Sequence, residues 1–147
     1  MDLKGEQQLS GTPEQIYNLL QDPEILASIM PGCDELIMVG EDVYEGTIKA
    51  KLGPVSSRYK AKFKISDKNP PNGYSLHIDG QGPGGFVTGN THIELSGNDE
   101  GTLLKYTGTA SVGGKIASIG QRLVESGAKI IIKQGFKALK KEVESKV

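Results

Sequence analysis

The chain has no tryptophan, one cysteine and few aromatic residues, 5% of its 147 positions. A single cysteine, Cys33, excludes a disulfide framework and a cysteine-built metal cluster. No stretch approaches the length of a membrane-spanning helix, and the opening MDLKGEQQLSGTPEQ lacks the apolar run of a signal peptide. A cytoplasmic location is therefore the expectation. Neither sign of charge dominates: 17 Lys and Arg stand against 18 Asp and Glu, a net charge of −1 that gives no global signal for nucleic acid. What is plentiful is glycine, with 20 residues. Glycine inside strands weakens packing and marks bulges or close approaches, so such a chain is suited to enclosing space. An apolar content of 36% and a charged content of 24% fit a globular protein, and the length fits one domain over residues 1–147.

The organising stretch is the C-terminal third, Val112 to Val147. It has no proline and is rich in Ala, Leu, Ile, Lys, Glu and Gln, which predicts a long helix. Its apolar residues fall in two stripes. Ile116, Leu123, Val124 and Ile131 form one; Ile132, Phe136, Leu139 and Val143 form another, rotated by roughly a third of a turn. A bend or break near Gly127 or Gly135 would aim both stripes correctly, because glycine has low helix propensity.

Before that helix, residues 2–10 alternate weakly, as a strand does. Thr12-Pro13-Glu14-Gln15 carries the signs of a capped helix start, and Asp22-Pro23 repeats them. Pro31-Gly32 ends this region. From 33 to 112 the period is two. Tyr44, Ile48, Ala50 and Leu52 share a face; so do Val55, Tyr59, Ala61, Phe63 and Ile65; so do Tyr74, Leu76 and Ile78. Val87, Thr91, Ile93 and Leu95, then Leu104, Tyr106, Ala110 and Val112, complete the series. Turns are expected at Gly53-Pro54, at 69–73 and at 97–101. About seven strands in an antiparallel meander, one face dry, would wrap the helix.

Asp22-Pro23-Glu24, Pro31-Gly32-Cys33, Asp42-Val43-Tyr44, Gly80-Gln81-Gly82 and the run from Gly113 to Leu123 resemble the G-subunit family of carbon monoxide dehydrogenase, in matching order along the chain. The resemblance implies an α+β, START-like, helix-grip fold: a curved antiparallel sheet around a C-terminal helix, with two short helices between strands 1 and 2. It places the chain in the SRPBCC superfamily, which includes polyketide cyclases. It also implies a hydrophobic cavity, association with a molybdenum hydroxylase, recruitment to the membrane surface, and carriage of a lipid or quinone.

The candidate ligand-binding residues are Leu52, Val55, Tyr59, Phe63, Leu76, Ile78, Tyr106, Ile116, Ile119 and Leu123, with Ile29 and Met30 near a rim. An ordinary filled core would show the same periodicity; the resemblance and the inner-face glycines Gly46, Gly80, Gly82, Gly89 and Gly108 favour a cavity. Ser57, Thr91 and tyrosine hydroxyls would add a few polar contacts. Gly80 to Gly85 lacks the Lys-Ser/Thr of a phosphate loop and reads as a strand-to-strand turn. Cys33 has no base tied to it, and His77 and His92 fall on the outward face, so no metal site and no catalytic residue is assigned. No inward pair of carboxylates is present for acid–base chemistry.

Arg58, Lys60, Lys62 and Lys64 line one outward strand face, while Arg122, Lys129, Lys133, Lys137 and Lys140 share a narrow sector of the last helix. Such stripes are commonly solvated faces; the alternative is docking to an acidic partner or an anionic membrane. The leading expectation is a non-enzymatic carrier of a small hydrophobic ligand, with no cofactor of its own and no nucleic-acid partner. The alternatives are a maturation or membrane-recruitment module working through its basic surface, and a cyclase- or hydrolase-type enzyme with Tyr59 or Tyr106 as a pocket acid.

Overall fold

The computed structural model describes residues 1–52 and 54–146, with the backbone alone at Leu52. The turn expected at Gly53-Pro54 thus lies partly outside the described residues, and Val147, where the helix is expected to end, lies outside them.

Strand β1 spans Asp2–Leu9. Two short helices follow, α1 (Pro13–Leu20) and α2 (Pro23–Ile29). The Thr12 hydroxyl accepts from the Gln15 N–H, and the Gln15 side chain accepts from the Thr12 N–H, so the capping box is reciprocal. Asp22 caps α2 through the Glu24 N–H. Then come β2 (Cys33–Gly40), β3 (Val43–Leu52), β4 (Val55–Asn69), β5 (Gly73–Gly82), β6 (Gly85–Asn98) and β7 (Gly101–Gly113). They form one curved antiparallel sheet in the order β1-β7-β6-β5-β4-β3-β2. The chain meanders except where β1 pairs with the last strand.

Register carries the expected inner face across the sheet. Tyr44 stands opposite Phe63, Phe63 opposite Ile78, and Ile78 opposite Gly89. Tyr74, Ile93, Tyr106 and Gly5 form a second row. Period-two alternation puts these residues on one side and the lysines of β4 on the other.

The C-terminal region differs from expectation. Strand β7 runs through Gly113, past Val112. A four-residue helix α3 (Lys115–Ser118) follows, and α4 (Gln121–Lys146) is one unbroken helix of 26 residues. The break is at Gly120, whose φ of +96° favours glycine. It is not at Gly127 or Gly135. The two stripes of α4 need no bend because they meet two different clusters on a twisted sheet. Val124, with Ile116 of α3, packs with Tyr59, Val55, Val87, Val112 and Ile119. Leu139 and Val143, both 1% exposed, join the main core of Leu9, Ile16, Leu20, Phe63, Tyr74 and Leu104.

Candidate functional site

An apolar cavity of about 240 Å³ lies between the inner sheet face, α2 and α4. Phe63, Leu76 and Ile78 form part of its sheet wall, beside Tyr74, Ile93 and Leu104; Ile29 and Met30 enter from the end of α2; Ile131, Ile132, Gly135, Phe136 and Leu139 close it from α4. Among the described residues, no charged side chain lines it. The alternation of β4 and β5 directs Phe63, Leu76 and Ile78 inward. On α4, Ile132, Gly135, Phe136 and Leu139 recur at spacings of three and four, which keeps them on one helical face. Gly135 permits close approach of the helices: a β-carbon there would lie 3.3 Å from the Ile29 carbonyl oxygen.

Five of the twelve candidate residues therefore gather at this cavity: Ile29, Met30, Phe63, Leu76 and Ile78. Val55, Tyr59, Ile116 and Ile119 are in the second cluster instead. There the Ile116 N–H donates to the Gly84 carbonyl at 2.9 Å and the Gly84 N–H to Ser57 Oγ at 3.0 Å, so α3 is latched onto the β5–β6 turn. Leu123 is 49% exposed and points away from both clusters, which corrects its expected inward placement. Helical spacing alone does not distinguish its side of α4. The side chain of Leu52 lies outside the described residues. The cavity also takes Leu20, Leu26, Pro31, Tyr74, Ile93, Leu104, Ile131, Ile132, Gly135, Phe136 and Leu139, none of them among the twelve candidates. The second apolar stripe of the last helix is the sequence signal for Ile132, Phe136 and Leu139.

Tyr106, the twelfth, occupies a boundary. Its ring stacks on Phe136, with centroids 5.2 Å apart and planes inclined by 26°. It faces a groove of about 740 Å³ between β1 and α4, and Phe136 and Ile132 line that groove as well as the apolar cavity. A β-carbon on Gly5 would sit 2.6 Å from Tyr106 Oη, so the glycine lets the phenol reach across β1. Lys4, Lys129, Lys133, Lys137 and Lys140 line the groove, as do Asp2 and Glu6. Among the described residues, the ion pairs are Lys68–Asp42, His77–Asp79 and His92–Glu94, so these five lysines have no carboxylate within bonding distance.

The inner-face glycines do less to create space than their number suggests. Gly80 and Gly89 have ordinary clearance, but a β-carbon at Gly46, Gly82 or Gly108 would collide with a carbonyl oxygen of the neighbouring strand. Ser57 and Thr91 do not line the apolar cavity; among the described residues, Tyr74 is the polar side chain that does. Burial pushes the phenols of Tyr59, Tyr74 and Tyr106 up, so they remain protonated donors near neutral pH.

A larger depression, about 800 Å³, lies on the outer sheet face around His77, His92, Asn90 and Ser75. Its polar groups bond to one another. His77 Nδ1 meets Asn90 Oδ1 at 2.6 Å and Nε2 meets Asp79 Oδ2 at 2.9 Å; His92 Nδ1 meets Ser75 Oγ at 3.1 Å. The histidines lie diagonally across β5 and β6, and no metal-binding group of three ligands occurs among the described residues. Cys33 is half-buried on β2, and burial, then Asp34, pushes its thiol up, away from thiolate chemistry. Gly80 to Gly85 runs from the end of β5 through a Pro83-Gly84 turn into β6, a strand-to-strand connection as expected.

A family model described as the carbon monoxide dehydrogenase G subunit (CoxG) matches residues 5–144. Among solved structures, a conserved protein from Geobacillus kaustophilus is 38% identical, covers 99% of this chain and 96% of its own, and superposes with a TM-score of 0.93. A protein from Chromobacterium violaceum is 18% identical, with 97% and 96% coverage and a TM-score of 0.74. Ara h 8.0201, also 18% identical, gives 99% and 98% coverage and a TM-score of 0.68. The last two share the fold, the START-like helix grip. No curated protein matches the chain.

Proposed function

The chain belongs to the carbon monoxide dehydrogenase G-subunit (CoxG) family, and from that premise we propose that it binds and carries a small lipophilic molecule, a quinone or a lipid. In this reading residues 1–147 act as one helix-grip domain, and the protein is an accessory to a carbon monoxide dehydrogenase-type molybdenum hydroxylase. The carrying observation is the cavity of about 240 Å³ with an uncharged, apolar wall between sheet and helix. Such a wall excludes polar ligands, since a buried polar group without a partner is costly. Phe63, Leu76, Ile78, Ile29 and Met30 would contact the ligand, with Tyr106 at its margin.

Native mass spectrometry of the protein purified without organic solvent, followed by solvent extraction, tests this. The expected result is a bound apolar molecule that extraction removes, and a thermal shift when quinone or lipid is restored. A ligand-free protein whose melting temperature ignores both would overturn it.

A second reading has its own observation. Lys60, Lys62 and Lys64 are exposed on the outer face of β4, with Lys49 paired in register with Arg58 on the next strand. This basic patch suits an acidic protein surface or anionic membrane. Co-purification of a molybdenum hydroxylase, or vesicle binding, that falls steeply with salt would support it; salt-independent behaviour would remove it.

A further inference from the structure

We infer that the lysine-lined groove between β1 and α4 holds the carboxylate head of a long-chain fatty acid whose tail enters the apolar cavity past Ile132 and Phe136. The inference rests on the reading of that cavity as a ligand site and names the class of ligand.

Size gives the first argument. Sites that engulf a drug-sized ligand have volumes of about 300–1,000 Å³. The apolar cavity, at about 240 Å³, is smaller, so it suits a tail with its remainder outside. Chemistry gives the second. Among the described residues, no charged side chain lines the cavity, so an ionised head cannot be accommodated there. The head must stay in a polar compartment next to the apolar one.

The groove is that compartment. It shares Ile132 and Phe136 with the cavity, so one molecule that passes these side chains touches both spaces. Five lysines face two carboxylates, Asp2 and Glu6, leaving a local excess of positive charge that the whole-chain net charge of −1 conceals. Glu125 and Glu144 lie four residues before Lys129 and four after Lys140, at the two ends of the lysine stripe. Here no acidic residue interrupts the run from Lys129 to Lys140. Lys129, Lys133, Lys137 and Lys140 occupy one sector, and none is ion-paired among the described residues. Their aliphatic stems offer apolar lining for the neck of a chain while the ammonium groups remain in water. Tyr106, held over Gly5, supplies a protonated hydroxyl on the groove floor.

The test compares a fluorescent polyene fatty acid with its methyl ester, which has the same tail and no charge. Binding is measured on the full chain at low and high salt, and on the Lys133→Gln/Lys137→Gln variant. Both lysines are exposed, so this variant is expected to fold. At low salt the acid should bind about tenfold more tightly than the ester, a difference that salt or the double substitution narrows because the acid loses more affinity than the ester. Equal affinities at low salt, or equal weakening of both probes in the variant, would overturn the head-group assignment and leave the carrier reading standing. Failure of both probes to bind would overturn the fatty-acid assignment, and the carrier reading falls with it only where quinone also gives no thermal shift.

Discussion

Tyr106 and Phe136 are stacked, one from the inner face of β7 and one from α4, with ring centroids 5.2 Å apart. They join the sheet to the helix at the line where the groove meets the apolar cavity. Phe136→Ala removes this wall. The expected loss of stability is about 2 kcal/mol, below the value for a fully buried phenylalanine because Phe136 is only half-buried. Urea unfolding reads it, and a change below about 0.5 kcal/mol would show that the stack does not hold the helix to the sheet.

Gly120 separates α3 from α4 with φ at +96°, and nothing lies within 4 Å of where its β-carbon would be. Space is therefore not the constraint; backbone conformation is. Gly120→Ala should cost about 1 kcal/mol or more, as a left-handed residue with a β-carbon does. Gly127→Ala, in an unbroken helix, should not show this penalty. Equal effects of the two substitutions on the melting temperature would contradict this account of the break.

His77 has acceptors on both ring nitrogens, Asn90 Oδ1 and Asp79 Oδ2, an arrangement satisfied when both nitrogens carry protons. The Asn90 bond first, then Asp79, lifts its pKa above 6.5, against opposing burial and the charge of Lys64. A raised folded-state value stabilises fully below the unfolded value of 6.5, and the contribution is lost as pH rises through the folded value. NMR titration should place the His77 midpoint above 6.5, and Asp79→Asn should lower it. A midpoint at or below 6.5 would show that the two acceptors do not hold the proton.

Tyr17 packs edge-on against Tyr74, with centroids 5.8 Å apart, and its buried hydroxyl has no hydrogen-bond partner among the described residues. Tyr17→Phe keeps the ring contact and removes the unsatisfied group. Stability should be unchanged or rise by up to about 1 kcal/mol. A marked loss on calorimetry would mean that the hydroxyl is satisfied in solution.

Much of the fold is legible in the sequence because its signals are local. Alternation in Val55 to Ile65 states which side of β4 is dry, and Thr12 with Gln15 states where α1 begins. The family resemblance adds what periodicity lacks, the enclosure of a helix by the sheet. The site is less legible. Val55, Tyr59, Ile116 and Ile119 share the parity or spacing of cavity residues, yet they are packed at another part of the sheet. Parity assigns a face; it does not assign a place along that face. The helix break falls away from its expected position for a related reason. Gly127 and Gly135 have the same low intrinsic propensity as Gly120, but helix continuity at Gly135 is fixed by tertiary packing against Ile29, which no local rule reports.

Continuity of α4 makes the stretch between Gly120 and Ile132 a spacer of fixed phase. Each residue turns a helix by about 100°, so loss of a single residue there would swing Ile132 and Phe136 off the cavity and bring neighbouring polar side chains round to its apolar wall. Length variation is thus tolerable beyond Val143, the last buried residue of α4, and forbidden between the glycine and the stacked phenylalanine.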